Sequence, residues 1–87
     1  ALESWDKALN RVYSKLKEKL DDNGRKALRD AQRLWIRYRD AEFANIDAIY
    51  LGRLQGTMWR PVAVGAKSEL VKARVMDLSA YLGDLSE

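Results

Sequence analysis

The densest run of reactive side chains in this 87-residue sequence is Gln32-Arg33-Leu34-Trp35-Ile36-Arg37-Tyr38-Arg39-Asp40, with three arginines and two aromatics in nine positions. Guanidinium groups beside aromatic rings suit phosphates and stacked bases, the chemistry of a nucleic-acid surface. The competing reading is a helix that buries Trp35 and Tyr38 and turns Arg29, Arg33 and Arg37 to solvent, where Asp30 and Asp40 neutralise them. A net charge of only +3 favours the solvated face. No nucleic acid is therefore expected as a partner, although Arg25, Lys26, Arg29, Arg33 and Arg37 would carry such binding.

Glu42 and Asn45 fall in the middle of an otherwise apolar stripe, where an unpaired carboxylate is costly. The expected solution is an inward Arg74 pairing with Glu42 or Asp40, with Arg39 one helical step from Glu42. The sharper alternative is a catalytic carboxylate with a raised pKa, but no spacing singles out a pair of acids. With no His and no Cys, thiol nucleophiles, Cys/His zinc sites, disulfides and Ser-His-Asp triads are excluded. No catalytic residue, metal ligand or cofactor is predicted, and the chain does not read as an enzyme.

Asn10 and Tyr13, one turn apart, can tie one helix to another through an amide and a phenol. Between Gly52 and Thr57, Arg53 and Gln55 sit in a segment that is either a plain helix reversal or a loop able to enter a partner's cleft. Met58, Trp59 and Arg60 follow directly, so Arg53, Gln55, Met58, Trp59 and Arg60 are the candidate binding residues.

Three helices must position these groups. Trp5, Leu9, Val12, Leu16 and Leu20 repeat at steps of four and three, which predicts a helix over about 4–20 with Ser4 as N-cap. Asp21-Asp22-Asn23-Gly24 stops it, Asp22 or Asn23 caps the next helix, and the short connection forces an antiparallel hairpin. The second helix spans about 25–51. One seam holds Leu28, Ala31, Trp35, Tyr38, Glu42, Asn45 and Ile49, and another holds Ile36, Phe43 and Tyr50. The first seam is expected to meet helix one, the second to hold helix three. Thr57 caps a third helix over about 58–82, with Pro61 in its first turn. That helix carries Ala63, Ala66, Leu70 and Ala73 on one face and Val71, Val75, Leu78 and Leu82 on another, so it either wedges between the other two or offers a seam to a second copy.

The fold expected is all-α: a helical hairpin with a long central helix plus a C-terminal helix, in one domain over 1–87. A hydrophobic content of 47% with one proline suffices for a core. No apolar run approaches the ~20 residues that span a bilayer. The chain starts without Met, as a processed or shortened chain would, and a removed secretion signal would leave no trace.

Taken in order, Leu9-Asn10 with Tyr13, then Leu28, Ala31-Gln32, Trp35, Tyr38-Arg39-Asp40-Ala41-Glu42, Gly56-Thr57, and Leu70 with Arg74 and Leu78, resemble the signature of the LprI-type domain, the lysozyme-inhibitor lipoprotein family. The resemblance covers nearly the whole chain, and Gln-x-x-Trp-x-x-Tyr-Arg-Asp is its specific part. It implies a small helical domain of bacterial proteins exported to the periplasm or cell surface. Lysozyme inhibition is the activity it names, so the implied partner is a lysozyme or another cell-envelope protein. Family members usually carry Cys where this chain has Phe43 and Ala66, which implies that these two positions pack near each other. Asn10, Tyr13, Gln32, Trp35, Tyr38, Arg39, Asp40, Glu42 and Arg74 match the signature and map onto or beside the predicted seams, as fold determinants would. Two alternatives remain: a structural module forming a homodimer through Val71, Val75, Leu78 and Leu82, and a basic nucleic-acid binder.

Overall fold

A computed structural model describes residues 2–86. Helix α1 runs Leu2–Lys19, α2 runs Asp22–Asp47, a π-helical segment continues it over Ala48–Arg53, and α3 runs Trp59–Leu85. The described residues contain no strand.

The first connection is tighter than expected. Helix α1 begins two residues before Ser4, which therefore lies within the helix and is not its cap. Asp21, not Asp22 or Asn23, caps α2, its side chain accepting from Gly24 N at 2.8 Å. A Cβ on Gly24 would stand 3.1 Å from Leu20 Cβ, so the turn closes over a residue without a side chain. Arg25 Nε reaches back to the Lys17 carbonyl at 3.0 Å, a second donor to an oxygen that also accepts from Leu20 N at 3.3 Å.

At the far end Gly52 does not stop α2, as its low helix propensity had suggested. The helix widens instead, and Leu54 N donates to Ile49 O at 2.9 Å, an i→i+5 bond. The reversal comes at Gln55 and Gly56, whose φ values are +54° and +92°. Thr57 does not cap α3 with its side chain. The N-cap is Met58, which makes no side-chain cap bond, and the turn closes through Trp59 N to Gly56 O and Arg60 N to Thr57 O.

Helices α1 and α3 run parallel, with α2 antiparallel to both. Lys72 lies over the Trp5 ring at 5.8 Å, and Ala8, Val12 and Lys15 share a cleft with Val75, Ser79 and Leu82. The main core is Leu9, Val12 and Leu16 from α1, Leu28 from α2, and Val71, Val75 and Leu78 from α3. Trp5, Tyr13, Leu20, Trp35 and Leu82 pack against it. Val71 and Leu78 are completely buried, so the seam proposed for a homodimer is consumed inside the chain. Helix α3 takes the wedge role because its apolar residues go nearly all round, and such a helix must meet more than one neighbour.

Because α1 starts level with Lys72, it covers only the C-terminal half of α3. The N-terminal half, from Trp59 onward, pairs with the end of α2 alone. The two form an arm that projects past α1 by about 20 Å, at 1.5 Å per residue. The overall extents, 48 × 20 × 16 Å, reflect this length. The arm has a small core of its own, Ile46 and Ala63, with Tyr50 and Trp59 stacked at 5.8 Å near its end.

Candidate functional site

Two groups of sequence-predicted residues fall in two different places. Gln32, Trp35 and Arg74 lie between α2 and α3, and Asn10 and Tyr13 line a groove between α1 and α2, whereas Tyr38 and Asp40 are exposed and Glu42 bonds within α2. The candidate binding residues occupy the tip of the arm.

The interface of α2 and α3 is a ladder of cations and rings. Arg74 Nε donates to Gln32 Oε1 at 3.0 Å, and its guanidinium lies 6.0 Å from the Trp35 ring. Arg39 covers Trp35 at 5.6 Å and Phe43 at 5.9 Å, and is held by Asp40 at 2.9 Å. Lys67 covers Phe43 at 5.4 Å and pairs with Asp47 at 2.7 Å. The Asp47 Oδ1 that it meets is buried, and the Lys67 ammonium is the partner that balances its charge.

Three expectations are corrected here. Arg74 does not pair with Glu42 or Asp40, because the antiparallel register sets it beside Gln32 and Trp35. Glu42 lies about 10 Å further along α2 and accepts from its own neighbour, Asn45 Nδ2, at 2.7 Å. Tyr38 is not on the core seam and is 54% exposed. Asp30 and Asp40 do not neutralise Arg29, Arg33 and Arg37. Asp30 is taken by Lys26 and Asp40 by Arg39, so those three arginines make no ion pair among the described residues.

Asn10 and Tyr13 do not bond directly across to α2. They line one side of a groove whose other side is Arg29, Gln32, Arg33 and Ile36. Ile36, expected to help hold α3, faces this groove instead.

At the tip Arg53, Gln55, Met58 and Arg60 are all exposed, Met58 at 72%. Trp59 is half-buried on Tyr50, which makes it a brace for the loop and not a free anchor. Ile49, Leu51, Leu54 and Val62 are also exposed around them. Ile49, expected on the first seam of the second helix, is 42% exposed instead, and the hydrophobic pattern did not single out Leu51, Leu54 and Val62. The signal was the absence of any Asp or Glu from Ala48 to Ser68, while Arg53, Arg60 and Lys67 fall inside that stretch. They are exposed because the arm has no third helix to cover them.

The sequence pattern of the lysozyme inhibitor LprI family matches residues 1–78. The chain belongs to this family. No curated protein and no solved structure matches it. For the LprI family the match places Asn10, Tyr13, Gln32, Trp35, Arg39 and Arg74 within the shared region. Here Gln32, Trp35 and Arg74 join α2 to α3, Asn10 and Tyr13 line the groove between α1 and α2, and Arg39 braces the rings of α2. The tip from Arg53 to Arg60 lies inside the matched span too. No helix of the described residues is long and apolar enough to cross a membrane, and no cluster of acids there could hold a metal ion.

Proposed function

We propose that this chain is a non-enzymatic, exported binding domain that inhibits a lysozyme by seating the tip of its arm in the substrate cleft. The observation that carries this reading is the tip itself. Ile49, Leu51, Leu54, Met58 and Val62 are all exposed at the same end of the molecule as Arg53 and Arg60, in a stretch without a single acid. Exposed apolar residues gathered at one end of a small protein mark a contact surface.

Lysozymes cut glycosidic bonds with a pair of carboxylates in a cleft. A guanidinium fits a carboxylate through two parallel hydrogen bonds, and such a pair gains strength when the cleft closes over it. Arg53 and Arg60 supply those guanidinium groups. Met58, unbranched and exposed, fills irregular apolar space beside them. The backbone bends at Gln55 and Gly56, and the tilted Tyr50–Trp59 ring pair braces the loop, so little ordering is lost on docking. Export and a periplasmic or surface location follow from what the family resemblance implies.

Long-range electrostatics works weakly against this complex. The domain carries +3, and lysozymes of the common animal type are themselves basic, so affinity must come from local fit and not from steering. The test is a lysozyme rate assay on a soluble oligosaccharide substrate with rising domain concentration. Inhibition that is competitive with substrate supports cleft docking. An unchanged rate at an excess of tens of micromolar domain refutes it.

A further inference from the structure

The groove between α1 and α2 is separate from the arm, about 20 Å back along α2 from Ile49. It measures about 260 Å3 and is lined by Asn10, Tyr13, Arg29, Gln32, Arg33 and Ile36. Five of the six are polar and none is acidic.

What these side chains share is unused donor capacity. Arg29 and Arg33 stand one turn apart on the same side of α2, and neither meets a carboxylate among the described residues. Gln32 is the only buried polar residue described, 9% exposed. Its Oε1 is held by Arg74, which fixes the plane of the carboxamide. The two N–H bonds on Nε2, across the same carbon from Oε1, have no protein acceptor among the described residues. Nε2 is not closed off from solvent, so its donors face water in the groove and are available to a ligand that displaces that water. The Asn10 amide and Tyr13 hydroxyl add further donors. The Tyr13 ring, with Lys17 5.8 Å above it, and Ile36 supply apolar surface.

The geometry points to a binding site for a small organic carboxylate joined to an amide, such as the C-terminal end of a short peptide or an N-acylated amino acid. Arg29 and Arg33 take the carboxylate, whose planar pair of oxygens matches the guanidinium fork. The carboxamides of Gln32 and Asn10 meet the ligand's amide, since each can donate to a carbonyl. Tyr13 and Ile36 cover its side chain. The groove lies just under the ~300 Å3 of ordinary ligand pockets, which restricts the occupant to about this size. A bare inorganic anion would leave the apolar surface and one carboxamide unused.

Side-chain amide and backbone NMR of the whole chain, at constant ionic strength, tests this with three probes: N-acetylalanine, its neutral amide N-acetylalaninamide, and inorganic phosphate. The expected result is a saturable shift at the Gln32 and Asn10 amides and at Tyr13 with N-acetylalanine, at least tenfold weaker with the neutral amide. The pair of substitutions Arg29→Gln and Arg33→Gln, both on exposed positions, should weaken binding at least tenfold with an unchanged melting curve. Arg53→Gln should leave it intact, so failure here and failure of lysozyme inhibition are separate results. Equal binding of acid and amide, saturation by phosphate alone, full binding by the double variant, or no saturable shift at these residues would each overturn the proposal.

Discussion

Arg74 Nε donates to Gln32 Oε1 at 3.0 Å, joining α3 to α2 across 42 residues of sequence. Both residues lie within the span that matches the family's pattern, and neither is at the exposed tip. The bond therefore helps hold α2 and α3 in register. Removing one partner of such a bond leaves the other buried and unmatched, which costs more than the bond contributes.

Replacing Arg74 with Ala should destabilise the domain by about 1–3 kcal/mol, the usual cost of stranding a buried polar group. Arg74→Lys should recover little, because an ammonium lacks the flat fork that both reaches Gln32 and stacks on Trp35. Urea denaturation followed by circular dichroism measures both; a wild-type midpoint for Arg74→Ala would show that the bond is incidental.

Leu78→Ala opens a cavity where all three helices meet and should cost about 2–5 kcal/mol. Met76→Ala, at a half-exposed position on the opposite side of α3, should cost under about 0.5 kcal/mol. Thermal melts of the two variants give the comparison, and equal losses would contradict the placement of the core.

The arm and the main core should differ in local stability. The arm relies on Ile46, Ala63 and one aromatic stack, whereas the main core draws on all three helices. Amide hydrogen exchange should therefore show residues 49–62 opening at lower free energy than residues 71–78. Uniform protection along α3 would contradict the two-core description.

Gln55 adopts φ +54° and Gly56 φ +92°, and a side chain in that region costs about 1–2 kcal/mol. Gly56→Ala should destabilise by about that amount, whereas Gln55→Gly should be close to neutral, since relief of strain offsets added freedom of the unfolded chain. Melting temperatures of the two variants decide this, and a large loss in Gln55→Gly would mean that its side chain holds the turn.

Much of the architecture was legible in the sequence. The steps of α1 and the 71, 75, 78, 82 line of α3 place their buried residues directly, because nothing polar interrupts them. Helix α2 was rotated by one position. Leu28, Ala31, Trp35, Tyr38 and Leu28, Gln32, Trp35, Arg39 both fit helical spacing, and hydrophobicity favours the first. The second is observed, since Gln32 and Arg39 bury their stems, with Gln32 Oε1 held by Arg74 and the Arg39 guanidinium held by Asp40 and the rings. Amphipathic residues used this way look solvated in any apolar count. The π-helical segment was equally hidden, because Gly52 signals a stop by propensity and only the packing of Tyr50 on Trp59 shows why the helix continues.

The most direct measurement is a side-by-side lysozyme inhibition assay of the wild-type domain and the Arg53→Glu/Arg60→Glu variant, with melting curves to establish that both are folded. The account predicts dose-dependent inhibition by the wild type and at least a tenfold loss in the variant at equal stability. Equal inhibition by the two, or none by the wild type, would contradict it.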